Sequence, residues 1–107
     1  MEEYVTLMKA LGDTTRLKLL KLIWDQERCV CDLQPVLGIS QPAVSQHIAK
    51  LKAAGLVRER RAGMWVHYQA NRSRLLEGLE AFKAFLNADL ESVPELAGIK
   101  FEGSCSD

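Results

Sequence analysis

Apolar residues recur at helical spacing in five stretches of the chain and alternate in two short ones. Tyr4, Leu7, Met8 and Leu11 mark the first helix; Gly12 ends it and Asp13 is placed to cap the next. The second is predicted over 14–24, with Leu17, Leu20 and Trp24 on one face and Leu19 and Ile23 beside it. A third, short helix is predicted to begin near Cys31 and to end at Leu37, before Gly38. Ser40 is the N-cap of a fourth, Pro42 fits its first turn, and Val44, Ile48 and Leu51 form its inward face until about Ala54. Two strands over 57–61 and 64–69 follow, turning at Ala62 and Gly63; Met64, Val66 and Tyr68 share one face, Trp65, His67 and Gln69 the other. The last helix is predicted over 73–90, with Leu75, Leu76, Leu79, Phe82, Phe85 and Leu86 as a wide apolar stripe. Residues 91–107, with Pro94, two glycines and a Ser-Cys-Ser-Asp end, read as a loosely ordered tail, leaving 1–90 as the folded domain.

A chain of 107 residues is the size of one domain, and 48% apolar with 26% charged residues is ordinary for a globular protein. No run reaches the length of a membrane span, and the acidic, amphipathic start does not read as a signal peptide, so a cytoplasmic protein without membrane partners is expected. Net charge is zero, but it is unevenly spread. Residues 1–40 carry five Lys/Arg against six Asp/Glu, residues 41–72 six against one, and residues 73–107 three against seven. A basic middle between acidic ends predicts one anion-binding face.

Two short helices joined through a glycine turn, followed by a basic hairpin, spell a winged helix-turn-helix: mainly α, five helices and one two-stranded wing. A helix entering the major groove must present groups that bond base edges and phosphates. Opposite its apolar face the fourth helix carries Pro42, Ser45, Gln46 and Lys50. Gln41 stands at the helix start, where free N–H groups favour phosphate, and His47 lies at the edge of the core face. On the hairpin, Arg58, Arg60 and Arg61 are placed to grip the backbone or enter a minor groove. No nucleophile–base pair, phosphate loop or closed ligand set suggests an enzyme.

The stretches LGDTTRLKLLKLI, RCVCDL, ISQPAVSQHIAKLKAAGLV and RRAGMWVHY, in that order across residues 7–69, resemble the ArsR/SmtB family of metal-responsive winged-helix repressors. The resemblance implies a homodimer formed largely by the first and last helices, which assigns Leu7, Leu11, Leu75, Leu79, Phe82 and Leu86 to the interface. A two-fold dimer should read an inverted repeat in double-stranded operator DNA, its reading helices roughly 34 Å apart. No cofactor is expected for DNA binding itself.

Cys29, Cys31 and Cys105 are an odd number of thiols in a chain that reads as cytosolic, so free sulfurs are expected rather than a disulfide framework. Cys-Val-Cys-Asp-Leu over residues 29–33 resembles the motif of the arsenic-responsive branch, which implies release of the operator on binding As(III) or Sb(III). Soft thiolates suit such ions. That branch often carries a third cysteine where this chain has Gln34, so Cys105 is the further ligand candidate, with an idle tail thiol as the plainer reading. Cadmium or lead at the same thiols, or a reactive-sulfur or redox signal, remain alternatives. A zinc site on the last helix has no histidine there, the two in the chain being His47 and His67. Residues two apart on a regular helix point about 200° apart, so joint chelation needs an extended or unwound helix start. Unwinding would displace the reading helix, and a two-residue disulfide is expected to be strained.

Overall fold

The computed structural model describes residues 1–103; Cys105, a third-ligand candidate, lies outside the described residues. The elements run α1 (Glu2–Leu11), α2 (Thr14–Leu22), α3 (Val30–Leu37), α4 (Gln41–Ala53), β1 (Val57–Ala62), β2 (Trp65–Ala70), α5 (Arg72–Asn87) and a 3₁₀ turn (Leu90–Ser92). This is the expected winged helix-turn-helix. Among the described residues no helix is long and apolar enough to cross a membrane.

The core sits where α2, α3 and α4 meet the root of the wing. Leu19, Ile23, Leu33, Val44, Leu51 and Leu56 are fully buried there. The inner face of α2 differs from the predicted one: Leu19, Leu20 and Ile23 point inward while Leu17 is 51% exposed. Because α2 is wedged against both α3 and α4, its buried stripe centres on 19, 20 and 23. Leu17, about 200° round from Leu19, falls outside that stripe.

β1 and β2 pair antiparallel from Val57↔Ala70 to Ala62↔Trp65, so the turn is Gly63-Met64, one residue later than predicted. Gly63 has φ 63° and no described non-glycine residue has positive φ, which is the type II′ pattern that suits a twisted hairpin. A third segment joins this sheet. The Arg28 N–H donates to the Tyr68 carbonyl at 2.9 Å and the Tyr68 N–H to the Arg28 carbonyl at 2.8 Å.

α5 packs chiefly on α1. Gly78 allows the approach, since a Cβ there would stand 2.9 Å from Leu7 Cδ2. Tyr4, Phe82 and Phe85 cluster beside it with ring centroids 5.6 to 6.3 Å apart. The six residues expected at a dimer interface therefore divide. Leu7 and Leu75 are consumed by the chain's own core, because α1 and α5 must first pack on each other, and Leu11 is half-buried against it. Phe82 is half-buried in the aromatic cluster, while Leu79 and Leu86 are exposed. Val5, Met8 and Leu76, also exposed, extend that apolar surface. Beyond α5, the segment expected to be loose carries local order: Val93 is buried, and the N–H groups of Leu96 and Ala97 each donate to its carbonyl at 2.9 Å.

Candidate DNA interface and thiol site

α4 is fixed at its start and along its inner face. The Gly38 N–H donates to the Gln34 carbonyl at 2.9 Å, closing α3, and Ser40 Oγ accepts from the Ala43 N–H at 3.3 Å, opening α4. With Val44, Ile48 and Leu51 buried, the helix can be rotated only one way, and Gln41, Pro42, Ser45, Gln46 and Lys50 are left exposed on its outer side. A Lys52–Glu59 ion pair ties the end of α4 to β1, so reading helix and wing present one surface.

His47 is half-buried and faces inward rather than joining the outer row. Its Nδ1 lies 3.3 Å from Arg16 Nη1, a guanidinium nitrogen that can only donate. Arg58 and Arg61 are exposed on the wing. Arg60 is engaged: its Nε reaches Glu27 Oε2 at 2.9 Å and its Nη2 reaches Oε1 at 3.1 Å. Of the three arginines expected to grip DNA, Arg60 is thus held in a forked pair, which the sequence separation of 33 residues conceals. The hydrogen bonds from Arg60 hold the Glu27 carboxyl below the usual carboxylate range, and Glu27 raises the Arg60 guanidinium.

The thiols sit at the mouth of α3. Helix begins at Val30, and Cys29 is its N-cap with extended backbone, φ −91° and ψ 169°. The Cys29 N–H donates to Asp32 Oδ2 at 3.2 Å, the Asp32 half of a capping box. Cys29 is buried and Cys31, in the first turn, is exposed. Extended backbone at one cysteine and helical backbone at the next bring both side chains to one place, and the structure joins them as a disulfide with Cα atoms 5.3 Å apart. Two expectations are thereby corrected. The pair is bonded rather than free, and no helical turn has to unwind for the sulfurs to meet. The 5.3 Å separation lies inside the ordinary disulfide range.

The Asp32 carboxylate completes a group of three donors whose ligand atoms lie within 4.8 Å of one another. Sequence reading passed over Asp32 as a donor, although an acid three residues after a helix cap is a visible capping signal. The site opens into a cleft of about 430 Å³ between α3, the start of α4 and the wing, where Gln34, Gln41, Ser45, Trp65 and Tyr68 join the two cysteines.

The model of bacterial regulatory proteins of the arsR family matches residues 13–59, which hold α2, the thiol pair, α4 and the first residues of β1. The reduced form of HlyU from Vibrio cholerae is 30% identical, with a TM-score of 0.64 over 82% of this chain and 92% of that one. The chain belongs to the ArsR family. That is a family of regulatory proteins, not of enzymes. An ArsR-like transcriptional regulator from Rhodococcus superposes with a TM-score of 0.71 at 26% identity, covering 90% of this chain and 93% of that one. Among curated ArsR relatives, the arsenical resistance operon repressor of Escherichia coli is 46% identical over 66 residues, 61% of this chain. The match spans 56% of that repressor's length, so the chain covers just over half of it.

Proposed function

We propose that this ArsR-family chain is a transcriptional repressor that binds operator DNA as a homodimer and lets go when As(III) or Sb(III) is held by the Cys29 and Cys31 thiolates. The observation that carries the reading is the convergence of both sulfurs at the cap of α3, in a cleft walled by Gln41 and Ser45 of the exposed reading helix. Once a dithiol reductant has taken up the disulfide's oxidising equivalents and opened the pair to two thiols, a soft trivalent ion suits the two sulfurs as thiolates, and binding releases the thiol protons. Asp32 supplies a nearby oxygen, and Cys105 of the tail remains the further ligand candidate. The similarity to a protein named for arsenical resistance supports this inducer class. The exposed α1–α5 strip containing Leu79 and Leu86 supports self-association, and a two-fold dimer reads an inverted repeat.

The test is fluorescence anisotropy of reduced protein on an inverted-repeat duplex selected from a random library. Arsenite or antimonite should release wild type, whereas Cys29→Ser and Cys31→Ser should bind and stay bound. Normal release by both variants would refute the assignment; release of wild type by cadmium but not arsenite would change the inducer. A second reading, thiol oxidation as the signal, is favoured by the closed Cys29–Cys31 pair. It predicts that the disulfide form alone, verified by mass spectrometry, loses the duplex.

A further inference from the structure

We infer that Glu27 is a positioning residue that couples the thiol pair to the wing, so that a change at the two sulfurs moves β1–β2 rather than α4. The inference rests on the proposed thiol reading for its ligand and specifies how that site is read out. Two independent ties leave the chain within two residues of Cys29 and both end on the hairpin. The Glu27 carboxylate grips Arg60 of β1 in a forked pair at 2.9 and 3.1 Å. The Arg28 backbone exchanges hydrogen bonds with Tyr68 of β2 at 2.9 and 2.8 Å. Arg28 is itself anchored, its Nε donating to the Leu22 carbonyl at 2.6 Å. The cleft at the sulfurs has Trp65, Val66 and Tyr68 as its far wall, so a guest there meets the same strand.

The route toward α4 is stiffer. Leu33 of α3 and Val44 and Leu51 of α4 are fully buried in one core, and close-packed side chains resist displacement. A two-stranded ribbon is marginal by itself and keeps its place through what it leans on. Of the two neighbours of the thiol pair, the wing yields first. Arg58 near the root of that ribbon and Arg61 near its tip would shift with it relative to Gln46 and Lys50 on the fixed helix.

The experiment uses the full-length reduced protein with arsenite, and phenylarsine oxide as a second dithiol-bridging probe. Hydrogen exchange is followed over 65–70 and over 44–51, in wild type and Glu27→Gln. In wild type, probe uptake should change exchange several-fold across β2, the Tyr68 amide included, and leave the α4 amides unchanged. Glu27→Gln should take up the probe with the same stoichiometry, yet show a smaller wing response. Its ratio of operator affinities without and with probe should fall at least tenfold. An exchange change confined to α3 and α4 would overturn the inference. So would a Glu27→Gln protein that melts lower but keeps the wild-type affinity ratio, which is what a merely structural role gives. Wild type whose wing responds while the operator stays bound would sink the release reading above and leave the coupling standing.

Discussion

Arg16 shows how much one side chain can organise. It is 8% exposed, and its Nε donates to the Ala10 carbonyl at 2.7 Å while Nη2 reaches the Lys9 carbonyl at 3.4 Å. Both carbonyls lie at the C-terminal end of α1; that of Lys9 also accepts from the Gly12 N–H at 3.4 Å, so the Ala10 carbonyl depends most on Arg16. Arg16→Ala should therefore leave the buried Ala10 carbonyl unpaired and lower stability by about 1–3 kcal/mol, read by thermal or urea unfolding. His47→Ala removes the other end of the link. If His47 only orients α4, the loss should fall evenly on specific and random duplexes. Asp13 titrates in the opposite sense to a buried acid. The N–H of Arg16 donated to its carboxylate, and then the Arg16 charge, hold its pKa below the usual value. A folded-state pKa below the unfolded one stabilises the fold at neutral pH, and the gain disappears as pH falls through the lowered folded value. Unfolding midpoints should thus fall in acid less steeply for Asp13→Ala than for wild type.

At the level of elements, α4 was legible because its signals are local: Ser40 at the cap, Pro42 in the first turn, a 44–48–51 stripe and Gly55 after it. The hairpin turn slipped by one because Ala62 and Met64 carry no strong preference for strand or turn, and only the cross-strand register decides between them. Leu17 was misread since two overlapping leucine stripes fit α2, and the choice depends on what packs against it. The extended cap at Cys29 was hidden for another reason. Cysteine is not a usual cap residue, so the predicted start near Cys31 falls one residue after the observed one at Val30. Gly78 offers a test of the α1–α5 contact. Alanine there gains up to about 1 kcal/mol of helix propensity, but its Cβ would stand 2.9 Å from Leu7 Cδ2, so the buried Leu7 side chain has to shift. Overpacking typically costs about 1–3 kcal/mol, so Gly78→Ala should be a net loss in thermal unfolding.

For the whole molecule, the sequence showed the basic middle but not which charges are already spent. Arg60 is paired with Glu27 and Lys52 with Glu59, both across distances in sequence that no pattern reveals. On the proposed DNA-binding reading, raising salt should weaken operator binding steeply. Arg58→Ala and Arg61→Ala should each reduce the salt slope by about one, and Arg60→Ala by less, because Glu27 already neutralises it. Equal slopes for all three would mean that the Glu27 pair opens on the duplex.

The different depths of the two sulfurs give the proposed sensor an order of events. Cys31 is open to solvent while Cys29 is buried beside it. In the reduced protein an incoming metalloid should be caught by the outer sulfur and then locked by the inner one, which waits at high local concentration. Stopped-flow mixing should accordingly show Cys31→Ser slow to capture arsenite, and Cys29→Ser quick to capture it and quick to lose it.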